Sequence, residues 1–215
     1  TRGNGSRHYA PDFTFAKTGY QPIKYLMDEI RDELSQATYI DFPILRYAEV
    51  LLNYAEAKAE LGQMNETIWN KTVAPIRERA GVKSIYPDAA DPYLVSYFQG
   101  RVTDPLILEV RRERGVEFPM ENLRQDDIMR WSQGELLVKQ RRGIWIPQIE
   151  TPLDLDGDGK AETFVSRTSM EKSGMKVLYI GDEGGTGHVL SEGDHGIILP
   201  STSNYSKYVW EDLRA

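Results

Sequence analysis

The chain has 215 residues, of which 40% are hydrophobic and 27% charged, and its 26 basic and 33 acidic side chains give a net charge of −7. This length fits one large domain, or one and a half domains of ~150 residues, and it suffices to bury a core without a disulfide or a metal. The negative charge argues against general nucleic-acid binding, and the absence of cysteine excludes thiol catalysis, thiolate zinc sites and disulfide bonds.

Residues 1–40 predict an irregular lead-in, and the strongest helical periodicity of the chain follows them. Between positions 43 and 61, apolar residues recur at helical spacing and share one face: Ile44, Tyr47, Ala48, Leu51, Leu52, Ala55 and Ala59. Pro43 suits the first turn of this helix, and Gly62 suits the left-handed residue that follows its end.

A second helix is predicted from the cap Asn65 to Gly81, with a kink or break at Pro75 because proline lacks an amide hydrogen. Two helices joined by so short a turn form a hairpin, and ~34 residues per pair is the tetratricopeptide period. Such arrays need about three pairs, so a single visible pair indicates missing neighbours. The chain also starts at Thr1 and ends in an amphipathic helix at 204–215 without a Gly or Pro terminator, so we expect a fragment of a longer protein.

The middle of the chain predicts two further helices. Residues 83–103, rich in Pro, Asp and Tyr, predict a connection. Asp104 then caps a helix that runs to Phe118, and a short helix covers 121–131. From 134 to 215 the helical signals thin out, and Gly and Pro punctuate short strands or loops before the terminal helix.

These elements predict a mainly α fold, in which tetratricopeptide-like helical hairpins carry a loop-rich appendage with short strands. Within 1–215 we distinguish the lead-in at 1–40, a helical scaffold at 41–133, and a loop-rich part with the terminal helix at 134–215. The whole is expected to be a fragment of a larger α-helical array.

The run 109–118 mixes acidic and basic residues, so its charges balance and it favours structural ion pairs over an anion site. Its expected partners are Arg46, Glu49, Arg77 and Arg124. Trp69 and Trp131 lie on apolar faces of predicted helices, which favours core packing for both.

The loop 154–162 places carboxylates at alternate positions, as in loops that wrap oxygen ligands around calcium. The candidate ligands, at positions one, three, five, seven and nine of such a loop, are Asp154, Asp156, Asp158, the carbonyl oxygen of Lys160, and Glu162. Position twelve is Val165 instead of a bidentate glutamate, and flanking helices are missing. An exposed Asp-Gly turn between two strands is therefore the alternative to calcium, which is the one cofactor that the sequence indicates.

Aromatic rings on loops and strand ends indicate ligand binding, since flat rings with polar edges suit the apolar faces of sugars. The candidate ligand-binding residues are Trp145, Tyr86, Tyr93, Tyr97 and Tyr179. The loops expected to carry the ligand cover 83–103, 143–150 and 179–195. For each ring, packing against the helices is the alternative. The sequence offers no nucleophile elbow, and it singles out no pair of catalytic carboxylates among its 33 acidic residues. We therefore assign no catalytic residue, and a glycoside hydrolase that uses two carboxylates stays the third alternative.

Four stretches and one asparagine between about residues 40 and 145 follow one another in a set order: 42–57 (FPILRYAEVLLNYAEA), Asn70, 76–81 (IRERAG), 110–118 (VRRERGVEF) and 123–131 (LRQDDIMRW). In sequence, order and spacing they closely resemble the SusD/RagB family.

The resemblance implies the carboxy-terminal portion of a cell-surface lipoprotein of Bacteroidetes-type bacteria, with its lipid anchor upstream of this fragment. Such proteins are not enzymes. They capture oligosaccharide nutrients and pass them to a SusC-like TonB-dependent transporter in the outer membrane. The family fold is an α-helical array, and residues 43–80 would form its scaffold and transporter-facing side. The alternative is a helical protein-interaction scaffold without a sugar site of its own.

Overall fold

The computed structural model describes residues 11, 13, 16–22, 24, 43–137, 139, 141–155, 157–168, 172–181 and 188–200. They belong to two compact units, one within Phe42–Leu137 and the other within Thr1–Asp41 and Val138–Trp210. The first unit is helical and the second consists of short strands. Four sequence predictions concern residues outside the described ones: most of the lead-in 1–40, the calcium ligand Asp156, residues 182–187 of the expected ligand loop 179–195, and the terminal helix at 204–215.

Helix α1 (Tyr47–Glu60) begins later than the predicted Pro43, because Arg46 is extended (φ −119°, ψ 149°) and precedes the first turn. Ile44, expected on the buried face, is consequently 98% exposed. The side chains that α1 buries are Leu52, Ala55, Glu56 and Ala59. After the helix, Gly62 takes the predicted left-handed conformation (φ 64°).

Helix α2 (Glu66–Arg79) starts at its predicted cap, where the Asn65 side chain accepts a hydrogen bond from the Ile68 N–H at 3.0 Å. The helix is unbroken at Pro75, where the sequence predicts a kink or break. One lost backbone bond is tolerated because α2 packs along α1, so the neighbouring turns stay in place. Gly81 (φ 72°) follows its end, and α1 and α2 form the predicted hairpin.

Residues 83–103, predicted as a connection, contain helix α3 (Pro92–Tyr97). Asp91 caps this helix by accepting a hydrogen bond from a backbone N–H two residues further on, at 2.8 Å. Asp104 caps helix α4 (Pro105–Glu117) in the same way, at 2.8 Å. In both helices a proline occupies the first turn, where its missing N–H costs nothing.

Helix α5 (Leu123–Arg130) confirms the short helix predicted at 121–131, and a 3-10 turn (Gly134–Leu137) follows it. One apolar cluster of the helical unit consists of Leu52, Ala55, Ala59, Met64, Trp69, Val73, Ala74, Ile76, Val110 and Phe118. A second consists of Leu94, Phe98, Leu108, Ile128, Trp131 and Leu136. Both tryptophans predicted as core residues are therefore buried. In the part of the chain that the structure describes, no helix has the length and hydropathy needed to cross a membrane.

The second unit contains two three-stranded sheets. In one, the order is β1 (Trp145–Ile146), β6 (Gly196–Pro200) and β5 (His188–Leu190), with both pairs antiparallel. In the other, β3 (Thr163–Ser166) lies between an antiparallel β2 (Thr151–Leu153) and a parallel β4 (Lys176–Tyr179).

The strands enclose their own apolar core, formed by Phe13, Ile146, Val165, Leu178, Ile180, Leu190 and Ile198. The prediction of a mainly α fold is therefore confirmed only in part, because the described residues form five helices and two ordered sheets. Strands of two to five residues contain too few alternations for a period of two to be recognised in the sequence. The extended tetratricopeptide-like array stays a prediction.

Candidate functional site

A buried ion-pair network joins α1, α4 and α5. Asp127 accepts hydrogen bonds from Arg114 Nε at 2.9 Å and Nη2 at 2.8 Å, and these two side chains are 3% and 4% exposed. Arg130 donates both to Asp127 (2.8 Å) and to Glu56 (2.6 Å). Glu56 also accepts a hydrogen bond from Trp131 Nε1 at 2.6 Å. Each buried charge thus has partners of opposite sign, which is the condition for burying it.

A second part of the network joins α2 to α4 and confirms Arg77 as a partner of the charged run. Arg77 donates hydrogen bonds to Glu109 at 2.6 Å and to Glu113 at 2.7 Å. Burial lowers the pKa of Arg77, but the hydrogen bonds to the two glutamates outweigh burial and leave this pKa above its ordinary value. Arg46, another predicted partner, donates to Glu117 at 2.8 Å. These pairs neutralise one another, so this part of the chain is scaffold.

A cavity of 270 Å³, hereafter the tyrosine cavity, lies beside α3. It is lined by Tyr93, Leu94, Tyr97, Phe98, Arg111, Arg112, Gly115, Val116 and Arg124. The rings of Tyr93 and Tyr97 stack, with centroids 6.3 Å apart and planes inclined by 27°. Tyr93 is 69% exposed and Tyr97 is half-buried. Three arginines and no carboxylate line the cavity, so its local charge is opposite in sign to the net charge of −7.

Arg124, which the sequence offers as a partner of the charged run, instead borders the tyrosine cavity. Its Nη2 donates to the Tyr97 hydroxyl at 3.2 Å, and its guanidinium lies 5.7 Å from the Trp131 ring centroid. Its Nη1 is buried and has no hydrogen-bond partner among the described residues. Gly115 leaves room for this group, since a Cβ there would lie 3.1 Å from Nη1.

The other three predicted aromatic residues do not line the tyrosine cavity. Tyr86 is half-buried and packs edge-on against Trp69, with ring centroids 5.8 Å apart. Trp145 belongs to the strand unit, is 53% exposed, and meets His195 edge-on at 6.1 Å. Tyr179 ends β4 and is half-buried. Of the five predicted rings, the structure thus brings two together at one cavity.

Gly143 fixes the backbone beside Trp145. Its N–H donates to the Ile198 carbonyl at 2.7 Å, and a Cβ at position 143 would lie 2.4 Å from the Thr18 carbonyl oxygen. A side chain there would separate two backbone segments that now touch, so this position is restricted to glycine.

Three carboxylates of the predicted calcium loop converge. Asp154, Asp158 and Glu162 each contribute one oxygen, and these oxygens lie within 4.8 Å of one another. The two oxygens of Asp154 also accept backbone N–H groups of the same loop, at 2.7 and 2.8 Å. Asp158 accepts the Lys160 N–H at 2.8 Å. The loop is therefore wrapped around its acidic side chains, and carboxylate oxygens are the ligand type that calcium prefers.

The two histidines of the strand unit have opposite pKa shifts. Burial, followed by the positive charge of Lys17, lowers the pKa of His188, which is buried in β5. The hydrogen bond that His195 Nδ1 donates to Asp194 (2.6 Å) raises the pKa of His195, and Glu192 adds to this effect. The surroundings of His188 therefore disfavour its charged form, whereas the two carboxylates beside the exposed His195 favour its charged form.

Among the residues that line the cavity, the sequence indicates Tyr93 and Tyr97 as candidate ligand-binding residues, and it indicates the arginines of the run 109–118 and Arg124 only as ion-pair residues. The sequence does contain a start signal for helix α3, because Asp91 followed by Pro92 is the same pattern that begins α4. That start places Tyr93 and Tyr97 one turn apart on one face. Arg124 meets Tyr97 across 27 positions of the chain, and no local pattern reports such a contact.

Comparison with known proteins adds the following. The model of the SusD family matches residues 4–187 of this chain. Among solved structures, the chain is similar to a SusD-like protein from Bacteroides fragilis NCTC 9343, with 34% sequence identity and a TM-score of 0.36. That match covers 46% of this chain and 17% of the other. No curated protein matches the chain.

Proposed function

Because the chain belongs to the SusD family, we propose that it binds oligosaccharides at a bacterial cell surface and does not turn them over. Family membership further supports delivery of the bound glycan to a SusC-like TonB-dependent transporter in the outer membrane. It also supports attachment through a lipid anchor upstream of this chain. The match spans only 17% of the solved SusD-like chain, so these roles are proposed for the whole protein.

The observation that carries the proposal is the stacked pair Tyr93 and Tyr97 at the tyrosine cavity. The exposed ring of Tyr93 offers a flat surface to a sugar ring, and the neighbouring guanidinium groups offer donors to its hydroxyls. We propose Trp145, with Tyr179, as a second contact region in the strand unit. Tyr86 would act indirectly, by its packing on Trp69.

The first test is glycan binding by tyrosine variants. We expect Tyr93→Ala to weaken oligosaccharide binding by about 2- to 10-fold, since an aromatic stacking contact contributes roughly 0.5–1.5 kcal/mol. Isothermal titration calorimetry against a panel of oligosaccharides measures this, and chromatography of the mixtures is expected to reveal no cleavage product. Trp145→Ala in the same assay tests the second region.

Tyr47→Ala is the matched control, because this tyrosine is 75% exposed and does not line the cavity. It is expected to leave glycan affinity unchanged. Equal losses of affinity in Tyr47→Ala and Tyr93→Ala would contradict a specific role for Tyr93. An unchanged affinity in Tyr93→Ala would remove Tyr93 from the binding site, and an unchanged affinity in Trp145→Ala would remove Trp145.

Protein docking is the second candidate function, and the outer face of α1 favours it. Large apolar side chains remain exposed on α1, at Tyr47, Val50 and Tyr54, and in the segment just before it, at Ile44 and Leu45. Three of them, at positions 47, 50 and 54, share one helical face. We propose the SusC-like transporter as the partner. Transporter capture that is lost in a Tyr47→Ser/Tyr54→Ser variant, together with no glycan binding by the full-length protein, would favour the scaffold role over the sugar site.

We also propose that the loop at 154–162 binds calcium, with ligands from Asp154, Asp156, Asp158, Lys160 and Glu162. The convergence of three carboxylate oxygens supports this. Gathering like charges is unfavourable without a cation, so calcium is expected to stabilise the strand unit.

Calcium at about 100 times its Kd should raise the free energy of unfolding by about 2.7 kcal/mol. Thermal unfolding with calcium and with EDTA measures the effect. Asp158→Asn should abolish it, whereas Asp88→Asn, an exposed acid outside the loop, should preserve it. Identical melting with calcium and EDTA would assign the loop to an ordinary acidic turn.

A further inference from the structure

We propose that the tyrosine cavity selects sugars that bear an anionic group, a carboxylate or a sulfate, and that Arg124 binds this group. The inference rests on the proposed glycan-binding function and narrows it to a class of acidic sugars. It follows from the charges around the cavity, from the bonding of Arg124, and from the placement of the tyrosine rings.

The charge balance around the cavity is positive. Arg111 is paired with Glu60 at 3.0 Å, and Arg112 is paired with Glu109, so the charges of these two arginines are largely compensated. Among the described residues, Arg124 has no such carboxylate partner, and its contacts are to the Tyr97 hydroxyl and the Trp131 ring. The cavity therefore presents one uncompensated guanidinium in a chain of net charge −7.

The bonding of Arg124 is incomplete in a way that an anion would complete. Its Nη1 is shielded from solvent and lacks a partner among the described residues, while its Nη2 is held by the Tyr97 hydroxyl at 3.2 Å. Buried polar groups without partners are rare in folded proteins and call for an explanation. A guanidinium presents parallel N–H donors that match the two oxygens of a carboxylate or sulfate, and such charge-assisted bonds are strong.

The tyrosines place a sugar ring where its acidic substituent reaches Arg124. Tyr97 both stacks with Tyr93 and bonds to Arg124, so the flat surface and the cation share one residue. The cavity of 270 Å³ lies at the small end of the ~300–1,000 Å³ range of ligand pockets, which suits one ring of a longer chain. The net negative charge of the protein opposes acidic sugars at long range, so selection has to come from this local cation.

The test compares oligosaccharides that differ in charge. Calorimetry on the full-length protein would use a galacturonic acid trimer, its methyl ester, and a sulfated galactose oligomer. An anionic sugar should bind about 5- to 10-fold more tightly than the neutral ester, because a charge-assisted bond is roughly twice as strong as a neutral one. Arg124→Gln should remove this preference, and Arg124→Lys should retain part of it. Arg101→Gln is the matched control, since this arginine does not line the cavity.

The outcomes separate the two levels of the proposal. An Arg124-dependent preference for the acid or for the sulfated oligomer supports the inference and identifies the anionic group. Equal binding of acid and ester that is still weakened by Tyr93→Ala overturns the inference and leaves glycan binding intact. No binding of any sugar overturns both. If Arg124→Gln does not fold, salt decides with the native chain: added NaCl should weaken binding of the acid and not of the ester, and equal effects on both would overturn the inference.

Discussion

Replacing Asp127 with Ala is expected to lower the free energy of unfolding by about 3–5 kcal/mol, because removing one partner of a buried pair leaves an uncompensated charge. Asp127 and Arg114 are 3% and 4% exposed, and two hydrogen bonds of 2.9 and 2.8 Å join them. Without Asp127, Arg114 keeps its hydrogen bond to Asn53 at 2.7 Å, but Arg114 and Arg130 then share the single carboxylate of Glu56. Urea unfolding followed by tryptophan fluorescence measures the loss, since Trp131 lies in the same network.

Two variants distinguish the buried charge from a general effect of substitution. Arg101→Gln should cost no more than about 1 kcal/mol, because the Arg101 side chain is 47% exposed and solvent screens its ion pair. The double variant Asp127→Leu/Arg114→Met should be more stable than Asp127→Ala, since both charges leave together while Glu56 and Arg130 remain paired. A loss below about 1 kcal/mol in Asp127→Ala would contradict the importance that we assign to this pair.

The ion-pair network was partly predictable. Alternating charges at 109–118 indicate pairing and point correctly to Arg46 and Arg77. Periodicity cannot indicate that Glu56 is buried, because it counts apolar residues alone. Glu56 is buried because Arg130 and the Trp131 indole, 74 and 75 residues further along the chain, donate hydrogen bonds to it. Its burial is therefore an effect of tertiary structure.

Helix ends follow local rules where a cap is available. Asn65 and Asp104 were recognisable as caps, and the structure has helices beginning directly after both. Asp91 caps α3 in the same way, so this helix could have been predicted from the sequence. The start of α1 was not, because Arg46 makes no side-chain capping bond and the apolar residues before it are exposed. At the start of α1, the hydrophobic periodicity of the sequence extends beyond the end of the helix.

In the candidate site, too, some features follow from local sequence and others from tertiary packing. The aromatic rings are visible in composition and position, but their grouping depends on the fold. Tyr93 and Tyr97 stack because both lie on α3, whereas Tyr86 packs against Trp69 in the helical core. Arg124 joins the tyrosines only through the packing of α3, α4 and α5, and Gly115 is needed for that approach. Such a residue has no signature of its own in the sequence.

Replacing Trp69 with Ala is expected to lower the free energy of unfolding by about 3–5 kcal/mol, the usual cost of deleting a large core aromatic. Trp69 is 0% exposed. Its Nε1 donates to Ser84 Oγ at 3.0 Å, and the guanidinium of Arg77 lies 5.0 Å from the centroid of its ring. The Ala variant removes these contacts and leaves a cavity in the apolar cluster that α1, α2 and α4 share. Thermal and urea unfolding measure the loss.

Trp145→Ala is the matched control for this prediction, because the same substitution is made at a tryptophan that is 53% exposed. It should cost less than about 1 kcal/mol of stability, since little buried surface is lost. Ser84→Ala should cost about 1 kcal/mol by removing one hydrogen bond. The two tryptophans therefore separate scaffold from ligand surface: Trp69→Ala should reduce stability, whereas Trp145→Ala should reduce glycan affinity alone. Equal destabilisation by both would place Trp145 in a core and remove it from the proposed second contact region.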